Sequence, residues 1–400
     1  MKPFRDNIFK AWKSTGKPVT ESIYDGEING LYHGCDTICK GVRSGSYLFL
    51  KDKPNITVPA EAHAKKLLIS YADRVCRNVH VVLLNGKDAK LYSDLNGVGP
   101  ARELKEFDID VIVDSRHVGQ NLMNHPAVPF VLRVKLELGM DTAVLRKGPE
   151  NEKMHAQYKR DHSGLADSGF LEVVGFPRID EYLENDPDYQ KAKKANGGRD
   201  PFSPEGQPHV ELDFVCLWGS AFQWHFPPPP EGEHTTAVVD LIRPISGPGE
   251  VTLKSADPLE QPYINLNFFA DELDIIAMRE GIRFTYDVLT KVDGFKDQVI
   301  SESPWPMPLY SNSEMKRAVL DRCQTAFHPV GTARLSKNIE QGVVDPALKV
   351  HGVHNLRVID ASAIPLIPDC RIQHSVYAVA EKGADMIKAD HKDLSHNRAL

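Results

Sequence analysis

The sequence predicts a mixed α/β chain in which an α+β segment of antiparallel strands is inserted between two helix-and-strand segments. Three observations carry this. Residues 355–359 (NLRVI) alternate and are rich in branched side chains, as in a buried strand. A polar turn, Asp360-Ala361-Ser362, follows them, and residues 375–387 then place apolar side chains at helical spacing. Earlier, KKLLISY and VHVVLL read as two strands joined by Asp73-Arg74. Between these ends, strand-like runs at 127–136, 210–218, 237–242 and 250–253 are separated by long polar loops, and 271–289 reads as a covering helix.

A chain of 400 residues, 41% hydrophobic, is long enough for one large or two ordinary cores. Its net charge of −7 and the absence of a basic stripe disfavour a nucleic-acid binder. No apolar run approaches the roughly 20 residues that span a bilayer. The start, MKPFRDNIFKAW, lacks a signal-peptide core, so a cytoplasmic protein without a membrane partner is the default expectation. Six cysteines do not form a disulfide scaffold. Cys35 and Cys39 lie one helical turn apart, but no second pair completes a zinc site, so no metal is expected.

Taken in order, Phe4, Phe9 and Trp12 mark a short amphipathic helix. Arg43-Ser44-Gly45-Ser46 precedes an apolar helix, and residues 54–58 (PNITV) read as a strand. Gly97-Val98-Gly99-Pro100 followed by ARELKEF is a Gly/Pro turn opening a helix. The loop 182–207 is charged and contains Gly and Pro, which predicts a mobile or lid-like segment. Pro227 to Pro230 form a polyproline spacer on an exposed edge.

Several of these stretches, in this order, resemble the glucose–methanol–choline (GMC) flavin oxidoreductases. Residues 43–46 and 54–58 are similar to that family's R-S-S-A and N-L-T-V steps. Val118-Gly119-Gln120-Asn121-Leu122 with Asn124-His125-Pro126 resembles its GVGQNLxDHP turn. RPISGPGEVTLKSADPLEQPYINLNFF resembles RPxSrGxVxLxSxDPxxxPxIxxNxf, and AFHPVGTARL with the segment to residue 389 resembles its C-terminal signature. The resemblance implies a partial FAD-binding GMC fold: a truncated Rossmann-like sheet plus an antiparallel-sheet substrate domain covered by helices. The implied division is 1–126 and 326–400 for the cofactor-binding part and 127–325 for the substrate part.

On this resemblance His328 is the catalytic base, taking a hydroxyl proton while hydride passes to the flavin. A His suits the task because its ordinary pKa near 6.5 needs only a small shift to leave it neutral. Read alone, a His before Pro is more often a rigid turn residue. Family members place a second His or Asn about 40 residues later; here Arg371 stands at that column. An arginine cannot act as a base, but its fork of donors suits an alkoxide, a substrate carboxylate or a reduced flavin. A salt bridge with Asp369 is the structural alternative, and His374 is a second candidate for the pairing. Asp360 and Ser362 are the implied diphosphate and ribityl contacts, although a capping Asp explains them equally. Gln373 is implied near the flavin ring, Asn121 and His125 on the flavin-side turn, and Val58 near the adenine end. Trp218, Phe222 and Trp224 are candidate pocket aromatics.

The sequence holds no GxGxxG turn, the motif that seats a cofactor diphosphate. Three readings therefore stand. The first is FAD-linked oxidation of a primary or benzylic alcohol or aromatic substrate, with the P-D-C-R-I-Q run pointing to fungal specialised (secondary) metabolism. The second is a flavin-independent lyase, dehydratase or isomerase reusing the pocket. The third is a non-catalytic homologue. A sheet lacking strands leaves an unpaired edge and bare apolar faces, so a homodimer or poor solubility is expected.

Overall fold

A computed structural model describes residues 2–21, 26–54, 56–58, 60, 62–83, 88–89, 97–167, 169–171, 173–203, 205–219, 227–303 and 306–391. The chain divides into two compact units. The first comprises residues 1–53, 125–246 and 269–326, and the second 54–124, 247–268 and 327–400.

The first unit is built on an antiparallel sheet that is seven-stranded among the described residues. Its order runs Gly30–His33, Val173–Phe176, Val210–Val215, Glu233–Leu241, Pro126–Val134 and Val299–Ser303, with Gln324–Thr325 also paired to Pro126–Val134. The strand-like runs expected between 127 and 253 are thus strands, with ends shifted by a few residues. Val128, Phe130 and Leu132 share a face with Ala237, Val239 and Leu241, because side chains one residue apart on a strand point oppositely. The helix Glu272–Thr290 covers that face. Asp271 caps it by accepting from the Leu273 amide at 2.9 Å, and Ile275, Met278, Ile282 and Phe284 are buried. Gly281 permits the close approach: a Cβ there would lie 3.0 Å from Val239 Cγ1 and 3.1 Å from Val210 Cγ1.

The expected N-terminal helix is Lys2–Ser14, burying Phe4, Ile8, Ala11 and Trp12. Trp12 Nε1 donates to the Pro18 carbonyl at 2.8 Å, and its ring meets Phe284 edge-on with centroids 5.7 Å apart. Four local expectations need correction. Residues 46–49 form only the short 3₁₀ turn Ser46–Phe49, with Tyr47 and Phe49 exposed, since Gly45 provides no side-chain cap. The described residues of 54–58 pair with no strand, and Val58 stands exposed. Residues 355–359 run extended but join other backbone only through isolated bridges such as Lys349 with Arg357.

The fourth correction is the stretch 182–207, which is not a loose lid. It contains the helix Pro187–Ala195, capped by Asp186, and buries Tyr189 and Phe202. Arg178, Asp180, Asp200 and His209 tie its ends together. Arg178 reaches Asp180 at 2.5 Å and Asp200 at 3.0 Å. These ion pairs, anchored on the buried Asp200 and His209, over-ride the polar composition that suggested mobility.

The second unit holds the hairpin Ala62–Ile69 and Cys76–Leu83, turned through Arg74 at φ 53, as its sequence predicted. A smaller sheet joins Gln120–Leu122, Gly249–Thr252 and Tyr263–Asn265. The helix opened by Pro100 is Ala101–Glu106. The C-terminal helix Gln373–Asp390 packs on residue 359 through Gly383, where a Cβ would come within 2.4 Å of Ile359 Cγ2. Among the described residues no helix is long and apolar enough to cross a membrane.

Candidate active site

His328 and Arg371 lie together in the second unit. Burial, with the positive field of Arg371 second, pushes the His328 imidazole down to about 4. The ring is therefore neutral at pH 7 and able to accept a proton while half-buried beside a permanent cation.

Two turns from distant parts of the chain hold His328 in place. The His328 backbone N–H donates to Asn124 Oδ1 at 3.0 Å. Met123 and Val330 then exchange backbone hydrogen bonds of 3.0 and 2.9 Å, and the Gly119 amide donates to Thr332 at 2.9 Å. Asn121 sits at φ 65, and its Oδ1 accepts from Arg334 Nη1 at 3.1 Å. Gly331, at φ 95, leaves room for the Asn121 carbonyl oxygen, which a Cβ would approach to 2.2 Å.

Arg334 also donates Nε to the Gln341 carbonyl at 2.8 Å and Nη2 to His117 Nδ1 at 3.2 Å. The other His117 nitrogen faces the Glu340 carbonyl at 2.8 Å. A carbonyl only accepts and a guanidinium only donates, so His117 Nε2 donates to Glu340 while Nδ1 accepts from Arg334. Asn124, Arg334 and His117 are supporting residues that sequence reasoning passed over as functional candidates. Arg334 stands four residues after Val330 in the His-Pro turn, but its partners Asn121 and His117 lie more than 200 positions away.

The remaining candidates also fall in the second unit, with the exceptions of His125 and the aromatics. Asp360 caps the 3₁₀ turn Ala361–Ala363, accepting from the Ser362 amide at 2.9 Å and from Ser362 Oγ at 2.5 Å. It caps that turn and not the C-terminal helix, ten residues later, which corrects the expected strand–cap–helix sequence. Gln373 and His374 are exposed in the first turn of that helix, whose N-terminus has no side-chain cap. Its first amides and positive dipole end are therefore open to an anion. Asn121 donates Nδ2 to the Pro365 carbonyl at 3.3 Å. Val58 is exposed in the second unit, and His125 is fully buried in the first. Trp218 is buried in the first unit against His234, at 5.4 Å between ring centroids. Phe222 and Trp224 lie outside the described residues.

Two other features have the look of sites. A groove of about 580 Å³ runs between Val98–Gly119 and Val251–Pro262, and contains none of the candidate residues. Asp180, Asp200 and His209 gather their ligand atoms within 4.8 Å. The Ile179 amide donates to His209 Nδ1 at 2.9 Å, so Nε2 carries the hydrogen and donates to Asp200 at 2.6 Å. No ring lone pair faces the carboxylates, and Arg178 already pairs with both of them. Burial alone would raise Asp200, but the bonds from His209, the Phe202 amide and Arg178 outweigh it and hold the acid well below the usual carboxylate range. This cluster is structural.

The residues present fit the ring end of a flavin: a neutral imidazole, a guanidinium, and an uncapped helix N-terminus beside the Asp360–Ser362 turn. The diphosphate end has no Gly-rich turn in this sequence.

The family model described as GMC oxidoreductase matches residues 244–380. A formate oxidase from Aspergillus oryzae RIB40, in a structure of an Arg-to-Lys variant solved for its effect on FAD modification, is 64% identical. The match has a TM-score of 0.95 and covers 98% of this chain and 71% of that one. Alcohol dehydrogenase [acceptor] of Pseudomonas putida is 28% identical over 84% of this chain and 58% of its own length. Oxygen-dependent choline dehydrogenase 1 of Chromohalobacter salexigens is 26% identical over 95% of this chain and 66% of its own. The chain thus spans roughly six tenths of the length of these curated relatives. With the motif order, the interlocked His-Pro and Gly-Gln-Asn turns and this likeness together, the chain belongs to the GMC oxidoreductase family.

Proposed function

We propose that this chain carries the catalytic pair of an FAD-linked oxidase acting on formate or a similarly small carboxylate, Arg371 holding the carboxylate and His328 taking a proton. The observation that carries this reading is a neutral imidazole set beside a guanidinium at the column where relatives place a second His or Asn. A guanidinium fork matches both oxygens of a carboxylate. Gripping both oxygens directs the C–H bond of formate away from Arg371. An imidazole kept unprotonated adds no second positive charge; when the acid form binds instead, Arg371 donates to its carbonyl oxygen, the imidazole accepts the O–H proton, and loss of the C–H hydride leaves carbon dioxide. The helix N-terminus at Gln373, the Asp360–Ser362 turn and the Asn121 turn are the groups here that would hold the cofactor. FAD supplies the acceptor for the hydride that leaves the substrate carbon.

The likeness to formate oxidase at 64% identity supports the carboxylate. The alcohol reading rests on the 26–28% identical dehydrogenases, and His328 would serve it equally as base. Purified chain titrated with FAD should turn yellow and melt at a higher temperature. It should then oxidise formate faster than benzyl alcohol, and R371K should raise KM for formate more than for the alcohol. A colourless chain whose melting temperature FAD does not move defeats the flavin reading. Preference for the alcohol, with R371K neutral, defeats the carboxylate reading.

We infer also that the chain self-associates, because Tyr47, Phe49 and Leu366 leave large apolar side chains in water. Light scattering should give a mass above the monomer; a stable monomer that binds no apolar dye overturns this.

A further inference from the structure

The bond between Asn124 and His328 joins residues 204 positions apart and is the point at which the two turns meet the candidate base. Asn124 is 5% exposed, so its side chain holds one geometry. The backbone N–H of His328 must be given an acceptor, which fixes Oδ1 as the atom facing it and sends the NH₂ group elsewhere. The family motif carries Asp at this column. An Asp would accept the same N–H equally well, so geometry alone does not call for an amide. What separates the two is charge. A carboxylate held against the His328 backbone would stand close to the ring and favour its protonated form. Arg371, whose field disfavours that form, is the charged group acting on His328 from the loop before the C-terminal helix.

We propose that Asn124 is the positioning residue for His328, fixing the backbone from which the ring is presented while placing no negative charge beside it. The inference rests on His328 being the proton acceptor named above, but it concerns only this chain's own residues. The neutral amide complements Arg371: one withholds an attraction for the imidazolium, and the other repels it. An acid at position 124 would undo that arrangement while leaving the turn intact.

The test uses isotopically labelled chain in three forms: wild type, N124D and N124A. His328 is identified by the ring signal lost in H328Q. Ring titration and backbone amide exchange are followed by NMR, so neither readout needs cofactor or turnover. In N124D the His328 ring should titrate about one to three pH units higher, as for a group gaining an opposite charge nearby. Its amide should stay protected, because the carboxylate still accepts. In N124A the ring should titrate as in wild type, but the His328 amide should exchange roughly tenfold faster or more once its acceptor is gone. An unmoved ring in N124D, or unchanged amide exchange in N124A, overturns the proposal. If N124D does not fold, the exchange measurement on N124A decides it. A chain that never oxidises formate fails the proposed activity and leaves this result standing or fallen by itself.

Discussion

His328 should make the stability of the chain depend on pH in a way that removing its ring abolishes. Its folded-state pKa near 4 lies below the ordinary 6.5, so the folded chain favours the neutral ring. Between those values the unfolded chain binds more protons than the folded one, and stability rises with pH. The contribution is therefore intact above about pH 6.5 and is lost as pH falls through about 4. At roughly 1.4 kcal/mol per pKa unit the full loss is about 3 kcal/mol. Solvent screening of a half-buried ring reduces this to about 2 kcal/mol. Urea denaturation of wild type and H328Q at pH 7 and pH 4.5 measures it: wild type should lose about 1.5 kcal/mol more than the variant on acidification, most of the full loss. Curves that fall in parallel would mean the ring is as well hydrated folded as unfolded, and the neutral-base argument would go with it.

Three further outcomes follow from the same geometry. R371L removes the smaller of the two causes acting on His328, so the ring should titrate higher than in wild type yet still below 6.5, because burial remains. NMR titration checks this, and a return to 6.5 would make Arg371 the principal cause. G331A forces a Cβ to within 2.2 Å of the Asn121 carbonyl at φ 95, and should cost roughly 2–4 kcal/mol by thermal denaturation. A cost below that of an ordinary surface change would show that the two turns are not tightly joined. D200A leaves Arg178 and His209 short of a buried acceptor and should destabilise the first unit by roughly 2–4 kcal/mol, without moving the His328 titration. An unchanged urea midpoint would make the cluster ornamental.

The elements that the sequence made legible are those whose signals are local. Of Phe4, Phe9 and Trp12, Phe4 and Trp12 are buried in Lys2–Ser14, where Ile8 and Ala11 complete the buried face and Phe9 is only partly covered. The strand-like run 237–242 became part of the central strand Glu233–Leu241, buried along its whole length, because a short apolar, branched run is a local signal. Failures came where a local signal met a missing or remote partner. Residues 355–359 have strand-like side chains, yet only isolated bridges form there, since a strand needs a neighbour along its length. The stretch 182–207 has a loop's composition, and its order comes from Arg178 and His209 on either side. Asp360 was read correctly as a cap, but which turn it caps was a matter of geometry.

For the site, the order of motifs by itself determined the family, the turn bearing His328, and Arg371 at the column usually held by His or Asn. Each is a property of neighbouring residues and survives reading along the chain. Only the tertiary structure decided how those residues behave. It set Asn124 against the His328 amide, tied Arg334 to Asn121 and His117, and buried the imidazole beside Arg371. A pKa is set by what lies within a few ångströms in space: for His328 that is burial and Arg371 from a separate loop, while the side chain that holds its backbone comes from 204 positions away.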